Sequence, residues 1–166
     1  MKIHNAGKAA MFGDVPEGSC FAFRRHDVTY VAIKLTNGQT FAVLWPYHPN
    51  IDTLKSGLMA NSVLHGEALW LLEDALATPK SGVEHLRSSM ETRHEIGSLA
   101  LGAISIFVTT HYKDGDVAWV NLQTGDLVYN APSPAIWFRE WEIHLPNIDG
   151  SYQMFCTVPG PQPKRP

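Results

Sequence analysis

The stretch Cys20–Trp45, CFAFRRHDVTYVAIKLTNGQTFAVLW, decides how the chain is read. It holds three short runs, Cys20 to Arg25, Thr29 to Leu35 and Gln39 to Trp45, separated by Arg-His-Asp and Thr-Asn-Gly. Aromatic and β-branched side chains suit a pleated, half-buried surface, so the pattern predicts three antiparallel strands. Asn37-Gly38 is the strongest hairpin signal. A two-residue turn of this type needs positive φ at both central positions, which Asn and Gly tolerate best.

A similar plan recurs downstream. Gly13, Gly18 and Phe23 fall on Gly97, Gly102 and Phe107 without a gap, and a short insertion then brings Leu35 and Gly38 onto Leu122 and Gly125. Ala68 to Glu73 falls opposite Ala135 to Glu140, placing Trp70 on Trp137. Self-similarity of this kind predicts a tandem duplication. The spacing of the leading glycines implies one turn used twice. Strands are accordingly predicted over Ala103 to Tyr112, Asp116 to Leu122 and Asp126 to Tyr129, with Lys113-Asp114-Gly115 and Gln123-Thr124-Gly125 as turns.

Between the two units the period changes. Ser81 and Glu84 have capping-box spacing, and Val83, Leu86 and Met90 follow at helical intervals, which predicts a helix from Val83 to Glu95. Asn50 to Asn61 reads as a short helix inside an insertion. Glu67 to Ala77 is helical by propensity, whereas its repeat partner Ile136 to His144 reads as strand. The expected fold is mainly β with minor α: two tandem, sequence-related β-meander or small-barrel units of SH3-like plan with a helix between them. The expected division is an arm over 1–12, a first unit over 13–80 with an insertion at 47–65, a connecting helix over 81–96, a second unit over 97–157 and a disordered Pro-rich tail over 158–166.

Composition narrows the function classes. The 166 residues with 45% apolar content suit a globular domain with a sizeable core. A formal charge of −3 argues against nucleic acid, since duplex binders present clustered Lys and Arg. The uncharged run Ile96 to Thr110 is shorter than the roughly 20 residues of a spanning helix. Met1 to Gly13 lacks the apolar segment of a secretory signal, so the cytoplasm is the expected compartment. Cys20 and Cys156 match neither a disulfide framework nor a metal cluster and are expected to be buried thiols.

Local catalytic motifs are missing. The eight histidines include no His-x-x-x-His, there is no Cys-x-x-Cys and no Gly-x-Ser-x-Gly, and Gly13-x-x-x-x-Gly18 lacks the Lys-Ser/Thr of a phosphate loop. No metal and no cofactor is expected. Trp45, Tyr47 and His48 form a stiff aromatic loop with Pro46 and Pro49, suited to anchoring a protein interface or closing a barrel end. Trp141, four residues after Trp137, is expected on the same strand face as Trp137 and Arg139.

The leading expectation is therefore a non-enzymatic interaction or structural protein that binds a protein partner or itself through surface loops, with Trp45, Tyr47, His48 and Trp141 as binding residues. The alternative is an enzyme, possibly a hydrolase, whose His48, Glu67 and His111 meet in a cleft between the units. A third reading, single-stranded nucleic-acid binding through exposed tryptophans, conflicts with the acidic charge.

Overall fold

The computed structural model describes residues 8–25, 28–45, 57–64, 67–80, 97–111, 116–132, 135–138 and 140–158. The predicted helix over 81–96 and the tail from residue 159 lie outside the described residues, as does most of the 47–65 insertion. Among the described residues the chain is built from strands, and helical structure is confined to two 3-10 turns at Phe12–Asp14 and Asn61–Leu64.

The quoted stretch forms β2 (Cys20–Arg25), β3 (Val28–Lys34) and β4 (Thr40–Trp45), within one residue of the expected bounds. They join β1 (Lys8–Ala10), β5 (Leu58–Ala60) and β6 (Leu69–Leu71) in a six-stranded antiparallel sheet of order β1-β6-β2-β3-β4-β5. Lys8–Ala10 thus belongs to the sheet and not to an arm. Glu67 to Ala77 is resolved in favour of strand: β6 is followed by β7 (Leu76–Pro79), with Asp74 at φ 55° in the turn between them. Helical propensity yields here because Leu69 and Leu72 are buried by tertiary packing.

Both faces of the central strands are covered, which is why β3 and β4 read as nearly continuous apolar runs. One face presents Phe21, Phe23, Tyr30, Ala32, Phe41 and Val43 to a closed aromatic cluster with Val15, Leu64 and Leu69. Phe23 stacks on Tyr30 with ring centroids 5.1 Å apart, and Phe12 meets Phe21 edge-on at 5.7 Å. The other face, with Ala22, Val31, Ile33, Ala42 and Leu44, enters a second core shared with the rest of the chain.

That second core gathers two further sheets. One has the order β11-β10-β9-β8-β12 and contains β8 (Leu99–Gly102), β9 (Ile106–His111), β10 (Val117–Asn121), β11 (Leu127–Val128) and β12 (Ala135–Phe138). The other is β14-β13-β7, with β13 (Trp141–Pro146) and β14 (Tyr152–Val158). Leu99, Val108 and Val120 meet Trp141, Ile143, Cys156 and Val158 beneath the six-stranded sheet. All three sheets are antiparallel and none closes into a barrel. The strands that follow β6 and β12 turn away from their own sheets and pair with each other, Ala77 opposite Ile143.

The strand-by-strand match expected from the sequence repeat is not the one the sheets show. Matching glycines sets β2, β3 and β4 against β9, β10 and β11. Strand order instead sets β6-β2-β3-β4-β5 against β12-β8-β9-β10-β11. Only the tryptophan block agrees with both: Trp70 pairs with Ala22, and Trp137 with Ala100. The aligned glycines also fail to share a conformation, since Gly18 and Gly97 have φ of 75° and 84° while Gly13 and Gly102 do not have positive φ. Gly38 does take positive φ, but Asn37 does not, so the β3–β4 connection is a longer turn than the expected two-residue type. In that turn Asn37 Oδ1 accepts from the amides of Gln39 and Thr40. Glycine reports turn chemistry, which every hairpin needs, and not the place of a strand in a sheet.

Two glycines pin the six- and five-stranded sheets together. A Cβ on Gly125 would meet the Lys34 carbonyl oxygen at 2.6 Å and the Gly18 nitrogen at 2.8 Å, and both glycines have left-handed φ. The Thr36 amide donates to the Gly125 carbonyl, and the Gly18 amide to the Lys34 carbonyl. Gly125→Ala is expected to cost about 3 kcal/mol, combining backbone strain and overlap. Gly150→Ala, at φ 80° with open space around the added methyl, is expected to cost about 1 kcal/mol. Urea unfolding of the two variants checks the difference.

Candidate binding cleft

β2 places Ala22 and Arg24 on one face, two residues apart, because side chains alternate along a strand. Its neighbours add Trp70, opposite Ala22 on β6, and Thr29, opposite Arg24 on β3. Ala22 is small, so the larger side chains around it stand above a depression. The three-stranded sheet covers part of this face and stops at β14, whose outer side pairs with no strand among the described residues. Between that edge and the exposed part of the face lies a half-open cleft of about 420 Å³, lined by Ala22, Arg24, Thr29, Trp70, Leu72, Phe155 and Cys156.

The cleft has two ends of different chemistry. Leu72, Trp70 and Cys156 make the inner end apolar, while Arg24 and Thr29 bring a guanidinium and a hydroxyl to the outer one. Arg24 is solvent-exposed and always charged. Phe155 owes its place to a bulge: Cys156 pairs with Ile143 and Met154 with His144, leaving Phe155 as the extra residue of β14. Extra residues of this kind redirect a side chain at the edge of a sheet.

Burial pushes the thiols of Cys20 and Cys156 up to about 12, with the neighbouring Cys20 adding to the effect at Cys156. Both are protonated at neutral pH and weak nucleophiles. The two cysteines, far apart in sequence, are close enough in the fold to influence each other. Elsewhere on the three-stranded sheet, His144 Nε2 lies 2.9 Å from Glu142 Oε2. The pair occupies alternate positions of β13, a spacing visible in the sequence as Glu-x-His on a strand.

Those residues singled out from the sequence that are described lie on separate elements. Tyr47 and His48 lie outside the described residues, and Trp45 ends β4. Glu67 lies just before β6 in the six-stranded sheet, whereas His111 ends β9 in the five-stranded sheet, and neither lines the cleft. Trp141 is not a surface contact. It is wholly buried, and its indole nitrogen donates to the Gly97 carbonyl at 2.8 Å. Nor does it share a strand with Trp137, because β12 ends at Phe138 and β13 begins at Trp141. Trp70, which was not among the residues expected to form a site, is half-buried and forms a wall of the cleft. Among the described residues no cluster of three or more His, Cys, Asp or Glu is arranged to hold a metal ion.

No family model matches this chain, and no match was found among the curated proteins or the solved structures.

The raised thiols give a testable pH dependence. The folded state holds protons that the unfolded chain, with thiols near 9.0, releases, so their contribution to stability is present below about pH 9 and is lost as the pH rises towards 12. Native protein treated with iodoacetamide at pH 8 is expected to remain unlabelled, and urea-unfolded protein to gain two adducts by mass spectrometry.

Proposed function

We propose that this protein is a non-enzymatic interaction protein that receives an extended segment of a partner protein as an added strand along β14. One observation carries the reading. β14 is a seven-residue edge strand without a charged residue, and it exposes Tyr152, Met154 and Phe155, the last of which lines the cleft. Natural sheets usually protect such edges with charges, prolines or covering elements, because a row of open amides and carbonyls templates another strand. In strand addition the backbone hydrogen bonds supply affinity and pockets for alternate side chains supply specificity. The contact surface differs from the loop expected around Trp45, Tyr47 and His48.

The scaffold is consistent with a finer reading, in which both halves derive from one five-strand unit of SH3-like plan. Support comes from the shared order, with the last strand lying beside the first, and from the matched Trp70–Ala22 and Trp137–Ala100 pairs. Folds of this kind host many functions, so the site and not the fold carries the proposal. The enzymatic alternative, with His48, Glu67 and His111 in one cleft between the units, lacks such an observation: His48 lies outside the described residues, and neither Glu67 nor His111 lines the cleft described above.

The test is amide hydrogen exchange over 152–158, with and without a blocked peptide of alternating threonine and valine equal in length to β14. Saturating peptide is expected to slow exchange along β14. Met154→Lys, which places a charge on the edge, is expected to abolish the effect. Unchanged exchange in the wild type would overturn the reading. A homodimer with β14 already protected would replace the partner with a second copy of the chain.

A further inference from the structure

We infer that the cleft is a specificity pocket for one aromatic side chain of the added segment, carried by the residue that stands opposite Phe155. The inference rests on strand addition at β14 and names the side chain selected there. Residues directly opposite one another on adjacent strands project to the same face, with Cβ atoms roughly 5 Å apart. Phe155 lines the cleft, so the residue of an added strand that faces it is aimed at the same space. The residues on either side of it point away, because side chains alternate along a strand. A single position of the segment is therefore read, and a slip of one residue turns its side chain to the other face.

The chamber beside Phe155 sets the chemistry of that side chain. Ala22 offers only a methyl group as a floor, Trp70 stands as a half-buried wall, and the buried Leu72 and Cys156 close the inner end. A volume of about 420 Å³ admits a ring, and offset or edge contacts with Trp70 and Phe155 add to simple burial. Arg24, at the outer end, is already engaged within the chain, so selection falls to the apolar end. None of the lining residues is acidic, and a lysine placed there would lose water without gaining a partner. A second copy of this chain fits less well: symmetric pairing about Phe155 sets that residue against its own counterpart, and each is already a wall of its own cleft.

The experiment uses the full chain and blocked seven-residue threonine-valine peptides with phenylalanine, threonine or lysine at the fourth position, the place that Phe155 holds within Tyr152–Val158. Binding is followed by calorimetry and Trp fluorescence, and β14 amide exchange is measured in parallel. The phenylalanine peptide is expected to bind about tenfold more tightly than the threonine peptide, and the lysine peptide no more tightly than the threonine one. Phenylalanine is also expected to change the Trp emission, and Trp70→Phe to remove that change. Moving phenylalanine to the first position is expected to lose the advantage, because filling the pocket then leaves much of the peptide overhanging the strand. Phe155→Ala removes a wall and Ala22→Val raises the floor, and each is expected to erase the preference for phenylalanine over threonine.

Equal affinity of the wild type for the phenylalanine and threonine peptides would overturn the pocket, as would a preference that survives Phe155→Ala. If all the peptides protect β14 without discrimination, the pocket falls and strand addition stands. If none protects β14, both fall. A peptide with phenylalanine first that binds as tightly as the one with phenylalanine fourth would overturn the register. A free chain that is already dimeric, with β14 protected before any peptide is added, would overturn the inference in favour of a second copy.

Discussion

The architecture depends on the close packing around Lys34. Its buried ammonium donates to the Val15 carbonyl at 2.7 Å and the Phe12 carbonyl at 3.1 Å, and it lies 4.9 Å from the centre of the Phe12 ring. A charge at this depth is tolerated because carbonyl oxygens and an aromatic face replace water. The same residue's carbonyl accepts from Gly18 and abuts Gly125. One residue therefore fastens the N-terminal segment over the aromatic cluster and seats the β10–β11 turn against the six-stranded sheet. No residue with a Cβ would allow the backbones at Gly18 and Gly125 to approach so closely.

With that junction in place, the outer face of the six-stranded sheet becomes the common partner of the other two. Ala22, Val31 and Ile33 meet Leu99, Val108 and Val120 from one and Trp141, Ile143 and Val158 from the other. The three-stranded sheet is narrow, and β14 ends its coverage over Ala22. The cleft thus arises from a mismatch in width between packed sheets. Its charged end comes from Arg24, the point where the alternation of β2 leaves the buried region.

Much of the local structure was legible from residues alone. Cys20–Arg25 is a strand because its apolar positions are buried on both faces, and the run of β-branched and aromatic residues through β3 and β4 reflects the same burial. The signal failed where two physical causes share one residue type. Glycine marks every tight turn, so aligned glycines do not report the order of strands in a sheet. Trp137 and Trp141 have the spacing of one strand face, but the chain breaks between them and sends each to a different sheet. Glu67 to Ala77 favours helix locally and becomes two short strands, because β6 is needed between β1 and β2 and β7 alongside β13.

The sequence by itself determined a mainly β protein, the positions of its central strands and a slightly acidic charge balance. These follow from periodicity and composition, which act over a few residues. Tertiary structure alone decided that Trp141 is core while Trp70 borders a cleft, that Cys20 and Cys156 are neighbours and that β14 is an edge. Each of those depends on which sheet a strand joins and where that sheet ends. Pairings between residues far apart in the chain set both, and alternation within a single strand carries no record of them.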